Sequence, residues 1–264
     1  MSVSDTSFSA EARPVPSVAP RPCVHERARP ATPAELATIP WMAGLLPAER
    51  QQVATGLQVA EVEGGELLCA SGPAAAYWFG VIEGLLKLSE PTSAAKPAGT
   101  STARPSGFHG VAPGGWCGED TLLRRGPYRQ DLRALRRSKV AALSLEDFHA
   151  LLAVSLAFNQ YLLHQMNERM AQLSTLRDME RRSDPDLRVA RHLAALSHPR
   201  LHPGVGDLLR ITQQELGQLV GLSRQRVNEA LGRLETSRLI QVAYGGVQVM
   251  NWQRLHQYPD IAAA

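Results

Sequence analysis

Cysteine is scarce. The 264 residues hold three, Cys23, Cys69 and Cys117, far apart and odd in number. That excludes a disulfide scaffold and points to a reducing compartment. No C-x-x-C pair and no H-E-x-x-H occurs, so local spacing offers no metal site. Aromatic residues make up 5%, too few for an aromatic-lined single-strand binder. No apolar run approaches the ~20 residues that span a bilayer, and the polar, proline-rich start holds no apolar signal core. A soluble, cytoplasmic chain with no membrane partner is expected. A Walker-type glycine loop is also missing. His149, His164, His192, His198, His202 and His256 are scattered, and none joins a Ser or Cys nucleophile in a recognisable motif. No catalytic residue, and no enzyme, is expected. The net charge of +3 permits a nucleic-acid partner without requiring one.

What is present divides the chain. Residues 1–35 carry Pro14, Pro16, Pro20, Pro22, Pro30 and Pro33, which deny helix and sheet hydrogen bonding, so a disordered tail is expected. A short helical pattern follows between Ile39 and Leu57. The unit expected over 36–145 has mainly short apolar runs separated by turn residues: Gly64-Gly65, Gly72-Pro73, Gly84, Pro113-Gly114-Gly115 and Gly126-Pro127. That texture predicts a β sandwich or roll. Pro91 to Gly107 reads as a long hairpin loop within it. Over 146–183 the pattern is helical. Phe158, Leu162, Met166, Met170, Leu173 and Leu176 recur at three- and four-residue steps on an otherwise polar helix, the pattern of a self-association seam. Ser183-Asp184-Pro185 breaks that helix, and 184–258 is the last unit.

The sharpest signal lies there. Thr212 is an N-cap, with Glu215 three residues on to complete a capping box. Leu216, Leu219 and Val220 form a buried face, Gly217 is small where the second helix must cross closely, and Gly221 ends the first helix. Ser223 caps a second helix whose inner face is Val227, Ala230, Leu231 and Leu234. Its outer face is Arg224, Gln225, Asn228 and Glu229. This is the spacing of a DNA-binding helix-turn-helix. Leu239 to Met250 alternates around Gly245-Gly246 and predicts a hairpin wing.

From Ser223 to Glu235 the sequence resembles the recognition helix of the Crp/Fnr family of bacterial transcription regulators. Leu68, Gly72, Trp78, Val81, Gly84 and Leu86 resemble the first strands of that family's effector domain. Gly114 and Gly118-Glu119 resemble its glycine turn and the Gly-Glu that opens a short phosphate-binding helix. The resemblance implies an α+β fold: an N-terminal double-stranded, jelly-roll-like β-roll, a long dimerisation helix hinged at Asp184, and a C-terminal winged helix-turn-helix. The effector candidates it implies are Gly118, Glu119, Arg129 and Ser174.

The chain also departs from the family. Cyclic-AMP-binding members hold phosphate with Arg followed by Ser or Thr, and here Pro127-Tyr128-Arg129-Gln130-Asp131 has no hydroxyl after the arginine. The adenine-binding hydroxyl pair reads Leu173-Ser174. Cyclic AMP is therefore not expected to be a strong activator. No fixed cofactor is implied; a cyclic nucleotide or cyclic dinucleotide is the class of effector to test. Cys23 stands alone where iron–sulfur members carry a cysteine cluster, and haem sensing through Cys117 or His109 stays open.

The function expected is a homodimeric regulator that reads pseudo-palindromic double-stranded DNA and works with RNA polymerase. Gln214, Ser223 and Arg226 are candidates for phosphate, which positions the protein. Arg224, Gln225, Asn228 and Glu229 are candidates for base edges. The competing reading is a cyclic-nucleotide or cyclic-dinucleotide sensor module whose DNA binding is secondary.

Overall fold

The computed structural model describes residues 27–90, 109–180 and 184–258, with backbone alone over 173–180. Its elements run β1 (Arg29–Pro30), α1 (Pro33–Ala37), α2 (Pro47–Gly56), β2 (Gln58–Val62), β3 (Leu67–Cys69), β4 (Tyr77–Glu83), β5 (Leu86–Ser89), β6 (His109–Val111) and β7 (Trp116–Cys117). Then come α3 (Glu119–Arg124), β8 (Asp131–Ala134), β9 (Ser138–Ser144), α4 (Leu145–Val154), α5 (Leu156–Glu180) and α6 (Pro185–Leu196). The chain continues with β10 (Leu208–Leu209), α7 (Gln213–Val220), α8 (Arg224–Thr236), β11 (Ile240–Ala243), β12 (Gly246–Val249) and α9 (Trp252–His256).

The expected disorder does not extend to residue 35. Arg29 and Pro30 pair antiparallel with Val59 and Gln58. Thr32 and Glu35 then make a reciprocal capping box, with Pro33 in the first helical turn. Both prolines sit where no N–H is needed: a sheet edge and a helix start. Arg29 clamps the Glu35 carboxylate at 2.6 and 2.9 Å. Residues 1–26 and the expected loop over 91–107 lie outside the described residues.

Two antiparallel sheets build the roll, in the orders β1-β2-β9-β4-β7 and β3-β8-β5-β6. Alternate side chains of one strand face opposite ways, and the larger sheet uses both faces. Val62, Phe79, Val81 and Val140 meet Leu86, Val111, Leu132 and Ala134 between the sheets. Val59, Trp78, Trp116 and Leu143 face the helices, against Trp41, Phe148, Leu151 and Phe158. Three of the four tryptophans therefore meet in one cluster, with Trp78 and Trp116 ring centres 4.3 Å apart. Gly80 allows this: a Cβ there would lie 2.3 Å from the Trp116 ring.

The long helix forms as expected, but its apolar residues divide between two faces. Phe158 and Leu162 are buried in their own chain's core, so they are not part of an open seam. Leu156, Leu163 and Met170 are 73%, 69% and 69% exposed, at seven-residue steps. Met166 is half-buried beside them. Side chains at Leu173 and Leu176 lie outside the described set.

The C-terminal unit packs α6, α7, α8 and α9 with the sheet β10-β12-β11. The wing thus has three strands, and its turn is Tyr244-Gly245, since Ala243 pairs with Gly246. Leu85 and Ala112 of the roll belong to this unit's hydrophobic core, which docks it on the roll. Among the described residues, no helix is long and apolar enough to cross a membrane.

Candidate nucleic-acid interface and effector cavity

The helix-turn-helix is assembled from local instructions. The Thr212 hydroxyl accepts the Glu215 N–H at 3.1 Å, and the Glu215 carboxylate accepts the Thr212 N–H at 2.7 Å. Gly217 admits the turn: a Cβ there would stand 2.8 Å from the Leu222 carbonyl oxygen. Gly221 takes φ +67°, left-handed backbone that a side chain resists. Ser223 then caps α8 by accepting the Arg226 N–H at 3.3 Å.

Burying Val227, Ala230, Leu231 and Leu234 turns the opposite face of α8 outward. Ser223, Arg224, Gln225, Arg226 and Asn228 are exposed, Glu229 is half-exposed, and Gln214 is exposed on α7. These side chains are already cross-linked. Gln213 donates to Asn228 Oδ1 at 2.7 Å and accepts from Arg224 Nε at 3.4 Å. Gln225 donates to Glu229 at 3.2 Å, and Arg226 pairs with the other Glu229 oxygen at 3.3 Å. Gln213 was missed from sequence. Its signal was its place directly after the Thr212 cap, level with the first turn of α8. The Arg233 guanidinium grips both Asp186 oxygens, at 2.5 and 2.7 Å, and ties α8 to α6.

Arg136, in the turn between β8 and β9, joins the two halves of the chain. It donates to both Glu215 oxygens at 3.1 Å, to the Arg210 carbonyl at 2.7 Å and to the Gly84 carbonyl at 3.2 Å. It thereby holds the cap of α7 against the roll.

A cavity of about 460 Å³ opens where β5, β6, α3, α5, α6 and His202 meet. Gly118, at φ +99°, turns the chain into α3, and Glu119 follows almost fully buried. Its carboxylate accepts Trp78 Nε1–H at 3.3 Å and pairs with Arg169 of α5 at 2.8 Å. Arg169 also donates to the Trp116 carbonyl. Burial, with Arg169 nearby, pushes the His202 imidazole down to about 3, so it is neutral at pH 7.

The structure brings Glu119 into this cavity and sets Gly118 beside it, but not Arg129. Arg129 is exposed and outside the lining, while Arg124 and Gln130 are in it. The reason is local: the preceding Tyr128 is anchored by its hydroxyl on the Tyr77 backbone, which fixes the strand entry. The Ser174 side chain lies outside the described set. Arg169 was missed; its only mark in the sequence was a cation between Met166 and Met170. A cyclic phosphate needs a cationic clamp. Arg169 is engaged by Glu119, so the fit to a cyclic nucleotide rests on Arg124. Among the described residues, no group of three or more His, Cys, Asp or Glu could hold a metal.

Comparison with known proteins gives two matches to families. Residues 59–155 match the cyclic nucleotide-binding domain, and residues 187–258 match the Crp-like helix-turn-helix domain. The cAMP-activated global transcriptional regulator CRP of Salmonella typhimurium is 32% identical over 135 residues, 48% of this chain and 62% of the relative. The CRP of Pasteurella multocida is 31% identical over 133 residues, with the same coverage. The chain thus spans 62% of the length of the curated relatives it matches. The solved structure of FixK2 from Bradyrhizobium japonicum superposes with a TM-score of 0.52 at 18% identity, over 76% of this chain and 96% of that one.

Proposed function

We propose, from the matches of residues 59–155 and 187–258 and the likeness to CRP, that the chain is a Crp/Fnr-type transcription regulator and acts as a homodimer binding double-stranded DNA at a pseudo-palindromic site. One observation carries the reading. The face of α8 opposite its buried stripe presents Arg224, Gln225 and Asn228 to solvent, on a turn built by Gly217, Gly221 and Ser223. Arg suits guanine O6 and N7, Gln or Asn suits adenine N6 and N7, and Glu229 suits cytosine N4. Ser223, Arg226 and Gln214 would take phosphates, which set register and carry no sequence information. Gln213 would orient Arg224 and Asn228. Pairing of α5 from two chains would place the recognition helices roughly one DNA turn, ~34 Å, apart.

The division proposed is an effector unit over 36–145 with its added N-terminal strand, a helical segment over 146–183, and a DNA-binding unit over 184–258. The effector would act in the cavity beside Glu119, because β-roll, long helix and DNA-binding unit all contribute to its wall. Cyclic AMP would be a weak ligand, since Arg129 is outside that wall. RNA polymerase is the protein partner proposed, and no catalysis is.

Selection of bound DNA from a random pool, then mobility shift on the recovered site, tests the reading. Recovery of an inverted repeat supports it; binding without sequence preference refutes it. A sensor module with secondary DNA binding would instead bind cyclic nucleotides or dinucleotides in calorimetry and shift no DNA.

A further inference from the structure

The roll holds a second cavity, of about 500 Å³, that among the described residues shares no lining with the one beside Glu119. It lies between the two sheets. Ala60, Phe79 and Ala142 form one wall, and Leu68, Cys69 and Tyr128 face them. Alternation explains why the space is empty of side chains. On β2 and β9 the same inward face carries Val62 and Val140 and then the smaller Ala60 and Ala142, which leave room beside Val140.

The chemistry of the wall is narrow. Among the described residues, no Asp, Glu, Lys, Arg or His lines it. The Tyr128 hydroxyl is already engaged: it donates to the Tyr77 carbonyl at 2.9 Å and accepts the Tyr77 and Ala76 N–H groups at 2.9 and 3.2 Å. Burial pushes the Cys69 thiol up to about 12, so it is uncharged at pH 7. Gln58, half-exposed, offers an amide to one polar end of a ligand. A volume in this range, with mostly apolar walls and few polar groups, is what small-molecule sites have. A charged ligand entering it would lose hydration with no counter-ion to replace it.

We propose that this intersheet cavity is a binding site for a neutral, apolar small molecule, flat-ringed or short-chained, distinct from the effector cavity beside Glu119. The probe is N-phenyl-1-naphthylamine, which is uncharged and fluoresces when it leaves water, titrated into the full chain. Saturable enhancement is expected. Ala142→Phe and, separately, Ala60→Leu fill the space and should each weaken binding by about tenfold or more, the loss expected when a ligand's apolar contacts are displaced. Arg169→Gln, at the other cavity, should leave probe affinity unchanged. Far-ultraviolet circular dichroism and DNA mobility shift check that each variant is folded. Absence of saturable binding overturns the proposal, as do folded filling variants that bind like the parent. It is also overturned if the probe binds only after residues 1–26 are removed, because the chain's own segment is then the occupant.

Discussion

Replacing Arg136 tests the connection between the two halves of the molecule. Arg136→Met keeps the aliphatic stem and removes the guanidinium. Two bonds to the Glu215 carboxylate and bonds to the Arg210 and Gly84 carbonyls disappear. Breaking a fully buried pair costs about 3–5 kcal/mol. Here Arg136 is 30% exposed against 11% for Glu215, so screening and water replacement reduce the loss to about 2 kcal/mol. Glu215 keeps its bonds to Thr212, so α7 itself should still form. What weakens is its hold on the roll. Deuterium exchange over 208–220 reads this directly: a loss of ~2 kcal/mol raises exchange through local opening by about thirtyfold. Arg136→Lys keeps the charge without the fork and should fall between parent and Met variant. Unchanged protection in Arg136→Met would mean that these contacts add nothing to docking.

Leu163→Glu combined with Met170→Glu should convert a dimer to monomers in multi-angle light scattering, since both side chains are exposed on one stripe of α5. An unchanged dimer would place the interface elsewhere. His202 is held neutral by burial, with its folded value lowered from 6.5 to about 3. Below about pH 6.5 the unfolded chain binds a proton that the folded chain refuses, so stability should fall as pH drops from 7 towards 3, by up to about 1.4 kcal/mol per unit from this group. Denaturant titrations of the parent and of His202→Gln should show a shallower slope in the variant, and equal slopes would contradict it.

The sequence made the helix-turn-helix legible because its instructions are local. Thr212, Glu215, Gly217, Gly221 and Ser223 act on neighbours within a few residues. The β-roll was legible as strands and turns, though not the order at Arg29–Glu35, since Arg29 acts through its pairing with β2 and its clamp on Glu35. The seam was read too broadly. α5 is apolar on two faces, one turned to Trp78 and Trp116 and one to solvent, and periodicity alone does not separate them. Arg136 and Arg169 were invisible for a related reason: their partners Glu215 and Glu119 are 79 and 50 residues away in sequence. Arg129 was placed by resemblance, while the cavity is walled instead by its neighbour Gln130 and by Arg124.

Arg224→Ala is the substitution that separates base reading by α8 from contact with the DNA backbone. Mobility shift on the selected site and on random DNA gives the two affinities to compare. A bidentate Arg–guanine contact contributes about 1–3 kcal/mol of discrimination. Specific binding should therefore fall by that amount while random binding changes little. Arg226→Ala should instead weaken both alike and lower the salt slope by about one unit. If Arg224→Ala lowers specific and random binding equally, Arg224 meets only the backbone, and base reading by this residue is contradicted.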